Sequence, residues 1–421
     1  MQYKFPYSGS IGLFEVLLWL ISPFFPKAGK MLAGRRQTLS RVLEFRKKNP
    51  EKKVYWFHAA SVGEFEQALP VIGLLKDKQS DAAIAVSFYS PSGMEMRGNH
   101  PLADLSFYIP ADLKGRMENL LEVLKPEALI LVKYEFWYNL LSACKQAGIP
   151  AISICCILRE SALKNPILGF HLRKCLPLFS FIFVQNSETA RLLKLIGNQA
   201  FQINGDTRVD RVMEIRDNAE KVDWIPEWKE GHKLLIVGSA WAEDIVFLRE
   251  FIRHSVIEAD GLWRVLIVPH EIGDTQIKHL TSSLGLPFEL FSEWELEKEN
   301  TDILVLDTLG LLSRTYRYAD AAWIGGGFKT GLHNTLEAAV YGIPVGFGPI
   351  FKKFREAQDL QDIGVAKSFP AGGSVWSFFQ TSTEKPEESD KIKISAELYF
   401  NSQKGASEAI VQFLCKADKE A

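Results

Sequence analysis

The chain has little with which to frame itself covalently or around a metal. Its five cysteines, Cys144, Cys155, Cys156, Cys175 and Cys415, are odd in number, irregularly spaced and mostly set in apolar segments. That pattern argues against a disulfide framework and predicts buried thiols in a reducing compartment. No C-x-x-C, H-E-x-x-H or Walker sequence occurs, and neither a D-x-D pair nor a carboxylate cluster is present to hold a cation. The formal net charge is only −2, so the basic excess of a nucleic-acid protein is missing. No repeat of solenoid length appears. The apolar run over residues 11–25 falls short of the roughly 20 residues a membrane span requires, and Glu15 and Pro23 interrupt it.

What is present is a folded chain of 421 residues, 47% hydrophobic and 24% charged, long enough for two or three domains. The apolar run is followed by Lys27, Lys30, Arg35 and Arg36. A cleaved signal peptide would put its charge ahead of the run and small residues behind it, the reverse of this order. The order predicts a helix lying in or dipping into a membrane, its basic flank on the anionic cytoplasmic side. The competing reading is a buried amphipathic helix.

Beyond it, strand–loop–helix units recur. Apolar strands are predicted over 54–58, 83–88, 129–134, 150–155 and 181–185, with a helix over about 64–76 whose Phe65, Ala68, Leu69, Ile72 and Leu75 recur at helical period. Residues 217–232 are polar, contain Pro226 and Gly231, and read as a linker. A second series follows, with strands over 234–238, 263–269, 302–306, 322–324 and 344–347. Alternating apolar strands and helices predict two doubly wound, mostly parallel sheets with a cleft between them. The boundaries are a membrane-associated segment 1–36, an N-terminal domain 37–216, the linker 217–232, a C-terminal domain 233–390 and a helical tail 391–421.

In such sheets ligands sit beyond the carboxyl ends of the strands. Those positions hold His58 with Ser61 and Glu64, Ser90 with Ser92, Glu135, Arg159, Gln185 with Asn186, Ser239, His270 and the glycine loop Gly325-Gly326-Gly327 with Gly331. After that loop, Asn334 and Glu337 resemble a capping box, and Gly342 with Pro344 stops the helix. Glycines let backbone N–H groups approach a ligand, and His333 and Asn334 at the helix start could meet a phosphate or a sugar hydroxyl. An ordinary strand–loop–helix, with Glu337 simply capping, fits the same spacing.

Glu64 and Glu135 are the carboxylates that follow N-terminal strands. A group transfer to a hydroxyl needs a base there, and a shielded carboxylate can be tuned to that role. Ser61-Val-Gly-Glu64 equally fits an S-x-x-E capping box, and Glu135 could serve a helix N-terminus. His58 and His270 fit structural hydrogen bonding as well as function. Asp307-Thr308 reads as a helix cap.

Taken together, His58-Ala-Ala-Ser-Val-Gly-Glu64, Ser90-Pro-Ser-Gly93, Glu135-Phe-Trp137 with Asn139, Gln185-Asn186, and Gly325–Gly327 with His333-Asn334-Thr335-Leu336-Glu337 resemble the 3-deoxy-D-manno-octulosonic acid (Kdo) transferases. The motifs run in order from the N-terminal apolar segment to about Phe354. The resemblance implies a GT-B fold, CMP-Kdo as donor and co-substrate with no cofactor, no metal, and a lipid A precursor as acceptor at the cytoplasmic face of the bacterial inner membrane. It implies that Glu64 is the general base of an inverting displacement, with Glu135, His58 and Ser61 on the acceptor or transition-state side. Ser239, His270, Gly326, Gly327, His333 and Asn334 would meet donor phosphate and sugar, and Glu337 the ribose. Arg208 and Lys353 would contact carboxylate or phosphate.

The chain also departs from the family pattern. Pro269-His270-Glu271-Ile272 stands where P-R-H-P is common, Leu311 replaces the acidic residue of D-T-x-G-E, and Arg208 stands where lysine is frequent. A GT-B enzyme using a UDP-sugar and a noncatalytic nucleotide-binding module are the competing functions. Against the latter, G-x-G-x-x-G is missing after the first strand.

Overall fold

The computed structural model describes residues 3–258, 262–295, 301–329, 331–371 and 373–420. It divides into two compact units, Met1–Arg211 with Gln403–Ala421, and Val212–Ser402.

In the first unit, β1 (Lys53–Ala59), β2 (Ala82–Phe88), β3 (Leu105–Tyr108), β4 (Ala128–Val132), β5 (Ala151–Cys156), β6 (Phe181–Val184) and β7 (Phe201–Ile203) form one parallel sheet in the order β3-β2-β1-β4-β5-β6-β7. Both faces are covered, which is why the strands read as unbroken apolar runs. Val54 and Trp56 of β1 enter one core, while Tyr55, Phe57 and Ala59 enter the opposite one. The helix Val62–Lys78 returns across the second face, burying Phe65, Leu69, Ile72 and Leu75 as its period requires. The order reverses between β1 and β4, making a switch point at their carboxyl ends.

The second unit repeats the plan. Strands β8 (Lys233–Ala240), β9 (Trp263–Pro269), β10 (Glu289–Leu290), β11 (Ile303–Val305), β12 (Ala321–Ile324), β13 (Val345–Phe347) and β14 (Ala366–Ser368) are parallel in the order β10-β11-β9-β8-β12-β13-β14. Its switch point lies between β8 and β12.

Two regions differ from expectation. The polar stretch 217–232 is no free linker: the chain enters the second unit inside the helix Thr207–Asn218, and the helix Trp224–Lys229 buries Ile225 and Trp228. Two apolar anchors outweigh the polar composition there. The tail divides as well. The helix Pro386–Gln403 belongs almost wholly to the second unit, whereas Ala406–Glu420 packs on the first, and Ala421 lies outside the described residues. Ile410, Val411 and Leu414 complete a core face of the first sheet, and Phe413 lies 4.5 Å from Phe181 between ring centres. Asp210 holds that helix by accepting from Gly405 and Ser407 N–H, each at 2.7 Å.

At the start of the chain the helices Lys4–Ile21 and Pro26–Lys48 share a small core of Leu18, Met31 and Tyr108. Tyr7 donates to the buried Asp112 at 2.7 Å, and Asp112 also accepts from Asn139 N–H at 2.9 Å and Leu140 N–H at 2.8 Å. Burial pushes the Asp112 carboxyl up to about 6 even though these donors pull it down. The opposite side of the first helix stays open, with Leu13, Phe14, Leu17, Trp19 and Leu20 exposed. No described helix is long and apolar enough to cross a membrane.

Leu414→Ala opens a hole under the fully buried Phe183 and should destabilise the first unit by roughly 2–5 kcal/mol. Urea denaturation followed on that unit's transition checks it, and a loss below roughly 0.5 kcal/mol, the ordinary scale of a surface change, would show the tail to be peripheral.

Candidate active site

The switch point of the first sheet brings together three residues from separate strand ends. His58, fully buried, is the penultimate residue of β1. Its Nδ1 lies 2.9 Å from Ser87 Oγ, which itself accepts from Trp56 Nε1 at 2.7 Å. Nδ1 also lies 3.1 Å from the Ser87 carbonyl oxygen, which can only accept, and Nε2–H donates to Glu135 Oε2 at 3.1 Å. Trp137 Nε1 donates to the same oxygen, and its ring meets the His58 ring edge-on.

Glu64 is half-buried in the first turn of the helix Val62–Lys78. The capping box anticipated from Ser61 is present: Ser61 N–H donates to Glu64 Oε2 at 2.9 Å, and Glu64 N–H to Ser61 Oγ at 3.4 Å. The cap does not exhaust the residue. Burial, then the negative charge of Glu135, raises the Glu64 carboxyl above its usual range, against the pull of His58 and Ser61. For Glu135 burial is again the largest influence and acts upward. The His58 hydrogen bond and charge with the Trp137 N–H outweigh it, and the net shift is downward. Two neighbouring carboxyls are thus driven apart, the pattern that separates a proton acceptor from a fixed charge.

Around this pair, Ser90 caps the helix Pro91–Arg97 and donates its N–H to Ala60 O at 3.0 Å, tying the Ser90-Pro-Ser-Gly93 turn to the Ser61 loop. Ser92 donates to Ser90 Oγ at 3.3 Å. Other expected residues are structural. Asn139 is buried in the Tyr7–Asp112 network, Asn186 caps the helix Ser187–Leu195, and Gln185 donates to Asp206 at 2.9 Å. Arg208 lies in the first unit with Nε and Nη2 both on Asp206 Oδ2, at 3.0 and 2.7 Å. Arg159 is exposed at the start of the helix Glu160–Lys164.

The switch point of the second sheet holds Ser239, Trp241, the glycine loop and His333. Ser239 has a φ of +51°, a conformation side chains rarely adopt, at a register break between β8 and β9. Asp244 gathers the surrounding backbone: it accepts from Trp241 N–H at 3.0 Å, Gly326 N–H at 3.1 Å and Trp323 Nε1 at 3.0 Å. Burial raises its carboxyl, and those donors offset part of the rise.

The glycines are packed closely into this backbone. Gly326 (φ +90°) gives its N–H to Asp244, Gly325 gives its own to Gly238 O at 2.9 Å, and Gly327 is buried where a Cβ would stand 2.6 Å from Gly348 N. Their missing side chains serve close backbone packing. The helix behind them, Leu336–Ala339, is a single turn and supplies little dipole. Asn334 does act at its start, accepting from Leu336 N–H at 3.2 Å and donating to Glu337 at 3.0 Å.

His270 and His333 stack at 4.2 Å between centres, and Trp241 stacks on His270 at 4.8 Å. Trp241 Nε1 donates to His333 Nε2 at 3.1 Å, so the neutral His333 carries its proton on Nδ1. Burial and then His270 push His333 down to about 4, and partial burial lowers His270. Trp241 and Asp244 were absent from the sequence reading; their place just after a strand end was the available signal. Lys353 is exposed, and Asp307 binds the Ser292 N–H at 2.9 Å instead of capping a helix.

A family model described as 3-deoxy-D-manno-octulosonic-acid transferase (kdotransferase) matches residues 35–211. A protein named as a probable mitochondrial 3-deoxy-D-manno-octulosonic acid transferase of Arabidopsis thaliana is 30% identical over 309 residues, covering 70% of this chain and 69% of that one. The 3-deoxy-D-manno-octulosonic acid transferase of Chlamydophila psittaci is 26% identical over 334 residues, covering 76% of each. Among solved structures, UDP-GlcNAc 2-epimerase of Neisseria meningitidis superposes with a TM-score of 0.60 at 16% identity, covering 87% of this chain and all of that one. MurG of Acinetobacter baumannii gives 0.54 at 15% identity, covering 87% of this chain and 99% of that one. These two likenesses concern the fold, which is of the GT-B type.

Between unfolded and folded chains the His333 pKa falls from 6.5 to about 4, so over that interval the unfolded state binds the extra proton. His333 should therefore contribute stability that is present above pH 6.5 and lost as the pH drops toward 4. An NMR titration of its Cε1–H should show a midpoint near 4, and a midpoint at the ordinary 6.5 would contradict the packing described. With its motifs on strand ends and its relatives aligned over most of their length, the chain belongs to the 3-deoxy-D-manno-octulosonic acid transferase family of glycosyltransferases.

Proposed function

We propose that the protein transfers Kdo from CMP-Kdo to a phosphorylated lipid A precursor of the lipid IVA type, with inversion, in lipopolysaccharide inner-core synthesis. The observation that carries the reading is the opposed tuning of Glu64 and Glu135 beside His58, in a chain of this family. Glu64 takes the proton of the acceptor hydroxyl as its oxygen attacks the anomeric carbon. The bond from that carbon to the phosphate oxygen breaks, and CMP leaves with the electron pair. A raised carboxyl pKa makes a better proton acceptor once ionised. Glu135, held ionised by His58 and Trp137, is a fixed negative charge that favours an oxocarbenium-like transition state.

The donor is assigned to the second unit. Because Gly326 N–H is committed to Asp244, phosphate contact passes to His333 through Nδ1–H, with Ser239, His270 and Asn334 beside it and Glu337 for the ribose. Arg208 is left out of the donor set, since Asp206 already neutralises it. CMP carries one phosphate, so transfer is proposed to need no divalent cation. The open apolar side of the helix Lys4–Ile21 supports residence on the cytoplasmic face of the bacterial inner membrane without a span.

CMP release from CMP-Kdo with lipid A precursor, assayed in EDTA, tests the activity, with UDP-sugars as alternative donors. Glu64→Gln should lose roughly 10²–10⁴-fold in rate while CMP-Kdo still binds; undiminished release would reject the base assignment. The rate should fall as pH drops through the raised Glu64 pKa. In Glu135→Gln that acid limb should move to lower pH, because one of its causes is gone; a limb that stays put would break the coupling.

Leu17 and Leu20 are 50% and 53% exposed, so Leu17→Glu with Leu20→Glu should abolish pelleting with vesicles and leave thermal unfolding unchanged. Unaltered pelleting would remove the helix from the membrane contact.

A further inference from the structure

We infer that a basic pocket between the two N-terminal helices is a binding site for the phosphate monoester of an acylated lipid. Glu15 of the helix Lys4–Ile21 accepts from Arg35 Nη1 on one oxygen and from Arg116 Nη1 on the other, each at 2.6 Å. Arg36 adds a third guanidinium to the same cavity, which measures about 440 Å³. It is exposed, and no ion-pair partner for it is found among the described residues. Three cations against one carboxylate leave the pocket two positive charges in excess.

A balanced internal ion network would have no such surplus. Arg35 shows the same deficit from within. Its side chain is only 6% exposed and its guanidinium lies 5.1 Å from the centre of the Tyr89 ring, yet its Nε–H is buried with no hydrogen-bond acceptor among the described residues. Planar guanidinium groups pair with phosphate oxygens through two parallel hydrogen bonds, which suits a phosphomonoester better than a single point charge.

The remaining lining identifies the source of the phosphate. Val16 and Trp19 form part of the wall, are 54% and 57% exposed, and continue into the open apolar side of the helix. A free anion gains nothing from that surface, whereas an acyl chain attached to the phosphate buries it. The pocket therefore fits a headgroup and chain together. Its part in acceptor capture rests on the transferase reading above; its affinity for lipid phosphate does not.

The test uses the full chain and phosphatidylcholine vesicles with or without phosphatidic acid, whose headgroup is a phosphomonoester. Arg36→Ala with Arg116→Ala is compared with Lys27→Ala plus Lys30→Ala, which removes equal charge from outside the pocket. The arginine pair should weaken binding to phosphatidic acid vesicles by about 5-fold for each arginine, and the lysine pair by less. Equal losses in the two pairs would mean diffuse attraction and overturn the site. Displacement by inorganic phosphate as effective as by the lipid would identify a free-anion site and overturn the lipid assignment. In transfer assays the arginine pair should raise the acceptor KM and leave the donor KM unchanged. An unchanged acceptor KM would sever the pocket from catalysis. Failure of the wild type to transfer would instead sink the proposed function and leave the vesicle result to judge the pocket. Unaltered thermal unfolding of both variants confirms that the fold is intact.

Discussion

The hydrogen bond from buried His58 to Glu135 is the constraint on which the candidate chemistry depends. It joins the ends of β1 and β4, where the first sheet reverses its order, and it fixes one carboxylate as an anion. The second carboxylate nearby, Glu64, then meets that anion and a partly dry setting, and its proton affinity rises. Ser87 and Trp56 stand behind the histidine and orient it, so the polarity of the pair is set two residues deep in the sheet. Remove the histidine and Glu135 loses the strongest influence that lowers its carboxyl.

The second unit uses a carboxylate differently. Asp244 is buried and fully hydrogen-bonded, and it pins the glycine loop to the start of the helix Ala242–Arg253. Beside it Trp241, His270 and His333 stack as an aromatic surface. Ring faces and a single imidazole N–H, rather than a fixed positive charge, are what these three residues present. In both units the polar groups sit at the switch point of the sheet, the place where open parallel sheets bind ligands.

Much of this was legible in the chain. The strand-ends carrying His58, Glu135, Ser239 and His270 follow from apolar runs bounded by polar residues, and the Ser61–Glu64 cap from its spacing. The strands β3, β7, β10 and β14 were not, being short edge or near-edge pieces with little periodicity. Long-range pairing is what local pattern cannot carry. Asp112 meets Tyr7 across 105 positions, and the final helix docks on a strand more than two hundred residues earlier. The glycine loop shows a related limit. Spacing shows where backbone can approach something closely, but not whether that something is a ligand or Gly348.

The opposed tuning of these two carboxyls can be measured without substrate. Selective carbon labelling of glutamate, with Glu64 and Glu135 assigned and their carboxyl shifts followed against pH, reads each ionisation directly. The account predicts a Glu64 midpoint above the ordinary value of 4.5 and a Glu135 midpoint below it. Coincident midpoints, or the reverse order, would contradict it.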